Sequence, residues 1–184
     1  MPTPAVTPSG SKPGTPSAGP HLLLKRQLMD LKKNPVEGFS AGLVDDGNLL
    51  EWEVMIIGPP DTIYEGGFFK ARLTFPENFP LYPPEMRFIT PMWHPNIYPD
   101  GRVCISILHA PGDDQYGYEQ ASERWLPVHT VETILISVIS LLSDSPSIDS
   151  PANVDAAVEV RDNIASYRKK VRRLARRSAE EEMD

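Results

Sequence analysis

Cys104 and Asn96 are the residues of this chain whose types and spacing best suit chemistry. Cys104 is the single cysteine among 184 residues, so it forms no internal disulfide and is either a buried small hydrophobic residue or a reactive nucleophile. Asn96 ends the segment Trp93-His94-Pro95-Asn96 and precedes the thiol by eight residues. A side-chain amide on a rigid turn can donate a hydrogen bond to a developing oxyanion. The pair indicates acyl transfer on a thiol, with a packing role for Cys104 as the alternative.

The histidines supply neither a peptidase base nor a metal centre on the sequence alone. A thiol peptidase needs a histidine with an orienting partner, and none is evident; His94 sits in a proline turn where a structural hydrogen bond is more typical. The four histidines and one cysteine also lack the spacing of zinc ligands. His109 comes five residues after the thiol and could influence it. We therefore expect neither thiol hydrolysis nor a bound metal.

Hydrophobic periodicity predicts a helix and then strands ahead of the candidate site. An apolar face over residues 22–33 predicts a helix, and Asn34-Pro35 ends it. Apolar and polar residues alternate over 50–57 and 68–75, and a further short strand is predicted over 86–90. Glycines and prolines separate these runs, which is typical of an antiparallel meander.

Helices are predicted after the candidate site. Residues 130–143 carry apolar residues on one helical face, and Ile136 and Ile139 lie off that face. We therefore expect this helix to be buried on most sides. Residues 153–177 predict two helices or one bent helix. The order of helix, strands and helices predicts an α+β fold in which a helix packs on an antiparallel sheet.

Charge is distributed unevenly along the chain. The net charge is −7, yet residues 168–177 hold seven of the 18 basic residues and no acidic one. The acidic remainder argues against general nucleic-acid binding, in which phosphate contacts dominate affinity. Three interpretations of the basic segment stay open: a solvated helix face, which we favour, a nuclear import signal, or a docking patch for an acidic partner.

Short motifs along residues 22–177 occur in an order and spacing that resemble one known family. They are Tyr64-Glu65-Gly66-Gly67, Phe75-Pro76, Phe79-Pro80, Pro83-Pro84, Trp93-His94-Pro95-Asn96, Gly101, Cys104-Ile105 and Trp125-Leu126-Pro127. On these motifs the chain is similar to the ubiquitin-conjugating enzymes. Segments 34–42, 108–114 and 150–155 resemble the G-type members, which have an acidic insertion after the cysteine.

The resemblance implies transthiolation at Cys104. The thiol would accept the ubiquitin C-terminus from an activating enzyme as a thioester, and a lysine would then attack it while a RING-type ligase holds the pair. No cofactor is implied on this chain, because ATP is used by the activating enzyme. The implied fold has an N-terminal helix, a four-stranded antiparallel meander, a central buried helix and C-terminal helices. A binding-only variant, which Cys104 argues against, and a carrier for another ubiquitin-like modifier are the alternatives.

The resemblance also assigns roles around the thiol. Asn96 would stabilise the oxyanion, and His94 and Pro95 would support the turn. Asp149 would position the acceptor lysine, although an Asp at that point is also a common loop cap. Relative to similar members of the family, the chain carries one extra residue between Asp144 and Asp149. Asp144 and Ser147 therefore stay open as alternatives to Asp149 for positioning the lysine. No dedicated base is needed for the first step, because a free thiol is already partly ionised near neutrality.

The segment between Cys104 and Trp125 is longer than in compact family members. We call residues 109–124 the acidic insertion; it contains His109, Asp113, Asp114, Glu119 and Glu123. The resemblance implies that it lies over the thiol and favours polyubiquitin chains, often through one preferred ubiquitin lysine. A solvated surface loop is the alternative.

Partner surfaces are implied by position in the family. The activating enzyme would contact Lys25, Arg26, Lys32 and Lys33 of the first helix. The ligase would contact Leu81, Pro127 and Val128, and Ser40 would lie where some members bind a second ubiquitin noncovalently.

Domain organisation and location are also expected from the sequence. Residues 1–20 hold six of the 20 prolines and predict a disordered tail, followed by a catalytic domain over 21–178 and a short acidic tail over 179–184. No apolar run approaches the roughly 18 residues of a membrane helix. A single cysteine and no signal pattern predict a reducing compartment, the cytoplasm, with the nucleus open as a second location. We also expect a monomer.

Overall fold

The computed structural model describes residues 19–112 and 120–184. Its helices are α1 (Pro20–Lys33), α2 (Val131–Ser143), α3 (Val154–Asp162) and α4 (Ile164–Met183). Its strands are β1 (Phe39–Leu43), β2 (Glu51–Ile57), β3 (Phe68–Thr74) and β4 (Glu85–Phe88), and short 3-10 turns lie at Ser106–Leu108 and Ala121–Glu123. Residues 1–18 of the predicted tail, and Asp113, Asp114 and Glu119 of the acidic insertion, fall outside the described residues. The predicted end of the tail at residue 20 is wrong, because Pro20 is already the first residue of α1.

The four strands form one antiparallel sheet in sequence order, β1-β2-β3-β4. The register pairs Val54 of β2 with Ala41 of β1 and with Ala71 of β3. Alternate residues of β2 and β3 are buried, as their sequence alternation predicts. The α+β fold and the four-stranded meander are confirmed.

The core fills the space between the sheet and the helices. Trp52 and Phe69 of the sheet are fully buried, as are Ile134 and Leu135 of α2. The expectation that α2 is buried on most sides is wrong at Ile136, whose side chain is 44% exposed. Apolar character alone does not place a residue inside, because much of a protein surface is apolar.

Side-chain caps fix where the later helices begin. Thr130 accepts a hydrogen bond from the Thr133 backbone N–H at the start of α2. Asn153 caps α3 and Asn163 caps α4 in the same way, so residues 153–177 form two helices rather than one bent one. Helix α4 continues to Met183, so most of the segment predicted as an acidic tail is helical.

Candidate active site

The thiol of Cys104 is held beside Asn96 by main-chain bonds. The Cys104 N–H donates to the Asn96 carbonyl over 2.8 Å, and Val103 pairs with Ile97 across an isolated bridge. Val103 also donates to the Met86 carbonyl in β4 over 2.9 Å. The sheet therefore positions Cys104 through its edge strand, and the cysteine stays partly exposed.

Gly101 makes the tight return between Asn96 and Cys104. Its φ is +98°, and a side chain there would collide with the Phe88 carbonyl. The Gly101 carbonyl meanwhile accepts from the Phe88 N–H over 2.8 Å. Glycine suits this position because it adopts positive φ freely and lets two backbones approach closely.

His94 supports the turn from inside the protein. Its ring Nδ1 accepts a hydrogen bond from the Asn96 N–H over 2.9 Å, and the side chain is only 1% exposed. Burial lowers the pKa of His94 to about 4, and the nearby Leu141 backbone opposes the shift only in part. Nε2 makes no well-formed hydrogen bond within the described residues. The ring is therefore neutral near pH 7 and is a weak base.

Trp93 and Pro95 are fixed by more distant parts of the chain. The Tyr64 hydroxyl donates to the Trp93 carbonyl over 3.0 Å. The Pro95 carbonyl accepts from Ala152 and Asn153 over 2.8 and 3.0 Å. With His94 O bonded to Ile97 N–H and Asn96 O bonded to Cys104 N–H, every carbonyl from Trp93 to Asn96 is a hydrogen-bond acceptor.

The Trp93 indole is also held on two sides by the C-terminal helices. Its Nε1–H donates to a carboxylate oxygen of Glu159 in α3 over 3.1 Å. The ammonium of Lys170 in α4 lies 3.2 Å from the ring centroid, in a cation–π contact. Sequence reasoning missed Glu159, Lys170 and Tyr167, the last of which lies 3.3 Å from the Tyr64 hydroxyl. A local sequence pattern does not predict these contacts, because the three residues lie far from Trp93 or Tyr64 in the sequence.

His109 links the thiol to the acidic insertion. Its ring Nε2 lies 3.6 Å from the Cys104 Sγ. Its carbonyl accepts a hydrogen bond from the Trp125 N–H over 3.1 Å. This bond joins His109, the first residue of the insertion, to Trp125, the residue directly after the insertion. The influence of His109 on the thiol, suggested by sequence distance alone, now has a direct contact behind it.

Asp149 lies on an exposed loop that is joined to the Trp93–Asn96 turn a few residues later. The Asp149 N–H donates to the Ser147 hydroxyl over 3.3 Å. Ala152 and Asn153 then bond to Pro95, as described above. Asp144 is exposed too, but it lies directly at the end of α2.

The residues predicted to contact a ligase lie on two neighbouring exposed loops. Leu81 is 60% exposed and Val128 is 80% exposed, and Pro127 is exposed as well. The buried Trp125 joins the loops, since its indole N–H donates to the Pro80 carbonyl over 2.8 Å.

The remaining predicted residues lie on other exposed faces. The basic side chains of α1 are exposed: Lys25, Arg26, Lys32 and Lys33. Ser40 is exposed in β1, opposite Met55.

Neither a metal-binding cluster nor a membrane-spanning helix is found in the described part of the chain. Residues 19–112 and 120–184 contain no group of three or more His, Cys, Asp or Glu side chains suited to a metal ion. In the same ranges no helix has the length and apolar character needed to cross a membrane.

Comparison with known proteins gives one consistent family. The sequence profile described as ubiquitin-conjugating enzyme matches residues 23–175. Ubiquitin-conjugating enzyme E2 15 of Schizosaccharomyces pombe is 64% identical over 165 residues, which cover 90% of this chain and 98% of that protein. Probable ubiquitin-conjugating enzyme E2 7 of Caenorhabditis elegans is 64% identical over 160 residues, covering 87% and 97%. The solved structure of human ubiquitin-conjugating enzyme E2 G1 matches with a TM-score of 0.61 and 64% identity, covering 68% of this chain and 96% of that one.

An α+β domain that holds one partly exposed cysteine beside a rigid Trp93–Asn96 turn is the architecture of a thioester-forming acyl carrier. The chain belongs to the ubiquitin-conjugating enzyme family and is a ubiquitin transferase. The predicted resemblance to the G-type members is confirmed by the similarity to E2 G1.

Proposed function

We propose that this enzyme carries ubiquitin as a thioester on Cys104 and passes it to lysines of substrates and of ubiquitin itself, together with a RING-type ligase. The observation that carries the proposal is the 2.8 Å bond between Cys104 N–H and Asn96 O, which keeps the thiol next to the amide-bearing turn. In this proposal Cys104 is the nucleophile, Asn96 stabilises the oxyanion and Asp149 positions the acceptor lysine.

The two chemical steps make different demands on the site. In the first, the Cys104 thiolate attacks the thioester carbonyl carbon on the activating enzyme, and that enzyme's thiolate leaves. In the second, a neutral lysine amine attacks the Cys104 thioester, an amide bond forms as the nitrogen gives up one proton to water, and the Cys104 thiolate leaves. The lysine must first lose a proton, which makes the second step the one that needs help from the protein.

Asn96 is suited to stabilise the oxyanion of the second step, the attack of lysine on the thioester. Within the described residues its side-chain amide forms no hydrogen bond, so its N–H groups remain available to a ligand. A well-placed donor of this type contributes about 3 kcal/mol to the stability of a tetrahedral oxyanion. The backbone of Asn96, in contrast, is fully engaged with Cys104 and His94.

Asp149 is our choice for the residue that positions the acceptor lysine. Its loop leads to Ala152 and Asn153, whose N–H groups bond to Pro95, and this connection supports Asp149. The last turn of α2, which Asp144 ends, also lies near the Trp93–Asn96 turn through the Leu141 backbone beside His94. A carboxylate there would attract the lysine ammonium and accept its proton or pass it to water.

The acidic insertion is proposed to bias the enzyme toward building polyubiquitin chains. His109, its first residue, contacts the thiol at 3.6 Å, so the insertion begins at the reacting atom. Carboxylates along it would raise the encounter rate with a lysine on a second ubiquitin.

Partner surfaces complete the proposal. The exposed basic face of α1 suits contact with the activating enzyme, and the loops of Leu81 and Val128 offer exposed apolar groups to a ligase. ATP is consumed on the activating enzyme, and substrates marked with chains would be directed to proteasomal degradation. We place the enzyme in the cytoplasm, as a monomer.

The proposal is tested by charging the protein with ubiquitin. Incubation with activating enzyme, ubiquitin and ATP should give an adduct of enzyme plus ubiquitin on a non-reducing gel, and a reducing agent should remove it. Cys104→Ala should give no adduct, and Cys104→Ser should give one that resists reduction, because an oxygen ester replaces the thioester. An adduct in Cys104→Ala that a thiol still removes, or no adduct in the wild type, would contradict the proposal.

A further inference from the structure

A basic cleft lies between the loop that joins β2 to β3 and one face of α4. Its volume is about 390 Å³. Its lining residues are Thr62, Ile63, Glu65, Lys169, Arg172 and Arg176. The three cations come from the basic segment 168–177, to which the ubiquitin-transfer site gives no role except for Lys170 on Trp93.

The cations of this cleft have no carboxylate partner within the described residues. Four arginines elsewhere on the surface do, since Arg72, Arg87, Arg102 and Arg161 each pair with a nearby acid. On α4 itself, Arg177 pairs with Glu181. The cleft holds three cations and one carboxylate, Glu65, and a net positive surface of this kind attracts an external acidic ligand.

The spacing of the cations suits an extended chain. Lys169, Arg172 and Arg176 occupy about a 60° arc of the helix, because an α-helix has 3.6 residues per turn. Their backbone positions span about 10 Å along the axis. A peptide in the polyproline II conformation advances about 9 Å in three residues and brings every third side chain back to the same face. Carboxylates three positions apart would therefore reach both ends of the cleft, and the planar guanidinium of an arginine binds a carboxylate through two hydrogen bonds.

The surroundings favour a peptide over a long polyanion. The whole chain carries a net charge of −7, which repels nucleic acids and anionic membranes beyond the cleft itself. The walls are mixed rather than purely basic, since Ile63 contributes a partly buried apolar side chain and Glu65 a carboxylate. Apolar and polar contacts of this kind suit a peptide backbone with its side chains.

We propose that this cleft is a docking site for an extended acidic segment of a partner protein, with acidic residues two or three positions apart. The site recruits the partner independently of ubiquitin transfer, because the side chains that hold Trp93 within the described residues, Tyr64, Glu159, Tyr167 and Lys170, are not among those that line the cleft. This selects the acidic-partner interpretation of the basic segment over a solvated helix face.

The test measures binding of a labelled peptide to the full-length enzyme by fluorescence anisotropy. The probe is a Gly/Ser peptide with a glutamate at every third position. Arg172→Gln with Arg176→Gln should weaken binding more than about tenfold. The matched control changes two exposed arginines of the same helix outside the cleft, Arg168→Gln with Arg173→Gln, and should leave binding within about twofold.

The site is mapped by the amide resonances of Thr62 and Ile63, which should shift on titration in the wild type but not in the cleft variant. Charging of Cys104 should proceed at the wild-type rate in both variants, which separates this proposal from the transfer chemistry. Equal loss of binding in the two double variants, or no binding at physiological salt, would overturn it. So would a preference for a phosphoserine version of the peptide or for single-stranded DNA.

Discussion

At the scale of single residues, the site separates the atoms that hold its shape from the atoms left for chemistry. The backbone of Asn96 bonds to Cys104 and His94, while its side-chain amide has no partner within the described residues. A substitution of the side chain therefore removes a chemical group and leaves the main-chain framework in place.

Asn96→Ala should accept ubiquitin on Cys104 at close to the wild-type rate but transfer it to free lysine about 100-fold more slowly. The reason is that the lost amide stabilises the oxyanion, whereas the bond from Cys104 N–H to the residue-96 carbonyl survives. Single-turnover discharge of the purified thioester measures the effect. Failure to charge with normal discharge would show that the assigned role is wrong.

Burial of His94 should make the free energy of unfolding depend on pH. Its pKa is lowered to about 4 by burial, so as pH falls below about 6.5 the unfolded chain takes up the proton first. The stability linked to a neutral His94 is complete above pH 6.5, falls between 6.5 and 4, and is lost below 4. Urea unfolding should show that the wild type loses about 3 kcal/mol more than His94→Asn between pH 7 and pH 4.

His94→Asn is the appropriate comparison because an Asn side chain can still accept from the N–H two residues later. Parallel pH profiles of the two proteins would mean that His94 is not buried in its neutral form.

Some of these residues could be predicted from the sequence and others could not. A single cysteine eight residues after an asparagine turn is visible in the sequence, and so the candidate nucleophile and donor are found there. Glu159 and Lys170, which hold the Trp93 indole, lie 66 and 77 residues along the chain from it. Contacts of that separation depend on the packing of α3 and α4, which periodicity does not specify.

At the scale of elements, the start of α3 is attached to the catalytic turn. Asn153 caps α3 through its side chain, and its backbone N–H donates to Pro95. Asn163 caps α4 with the same geometry, but neither its side chain nor its backbone contacts the turn.

These two caps form a matched pair for mutation. Asn153→Ala and Asn163→Ala should each lower the free energy of unfolding by about 1 kcal/mol, as loss of an N-cap does. Only Asn153→Ala should also slow the transfer of ubiquitin to lysine, because its loop leads from Asp149 to Pro95. Thermal melts and thioester discharge assays measure the two effects. Equal discharge rates would show that the α3 cap does not support the site.

Element prediction succeeded where periodicity was strong. Residues 51–57 and 68–74 form the strands that their alternation predicts. The pattern did not locate β1, because Phe39–Leu43 is short and contains Gly42; its existence came from the family resemblance. The prediction that Ile136 is buried was wrong because periodicity shows that a residue is apolar but does not show whether another element packs against it.

At the scale of the whole molecule, the sequence places acidic residues in the insertion after Cys104 and basic residues on the part of α4 that lines the cleft. The insertion begins at the thiol, whereas the cleft lies between the β2–β3 loop and α4. In the two proposals, a lysine is attracted near Cys104 and an acidic segment of a partner is bound at the cleft.

Asp113→Ala with Asp114→Ala should reduce the rate of polyubiquitin chain formation more than the rate of charging by the activating enzyme. The lost carboxylates would otherwise raise the encounter rate with the acceptor ubiquitin. Glu180→Ala with Glu182→Ala changes the net charge by the same amount at the far end of the chain and serves as the control. An equal decrease in charging and chain formation would indicate a folding defect instead.

The hydrogen bond between His109 and Trp125 has a consequence for how such enzymes diversify. Because it joins the two ends of the acidic insertion, the length between them can change without displacing Cys104 or the buried Trp125. Closing a longer loop is inexpensive, since each doubling of length adds only about 0.6 kcal/mol of entropy. The length and charge of this segment can therefore change during evolution while the residues on either side of it keep their positions.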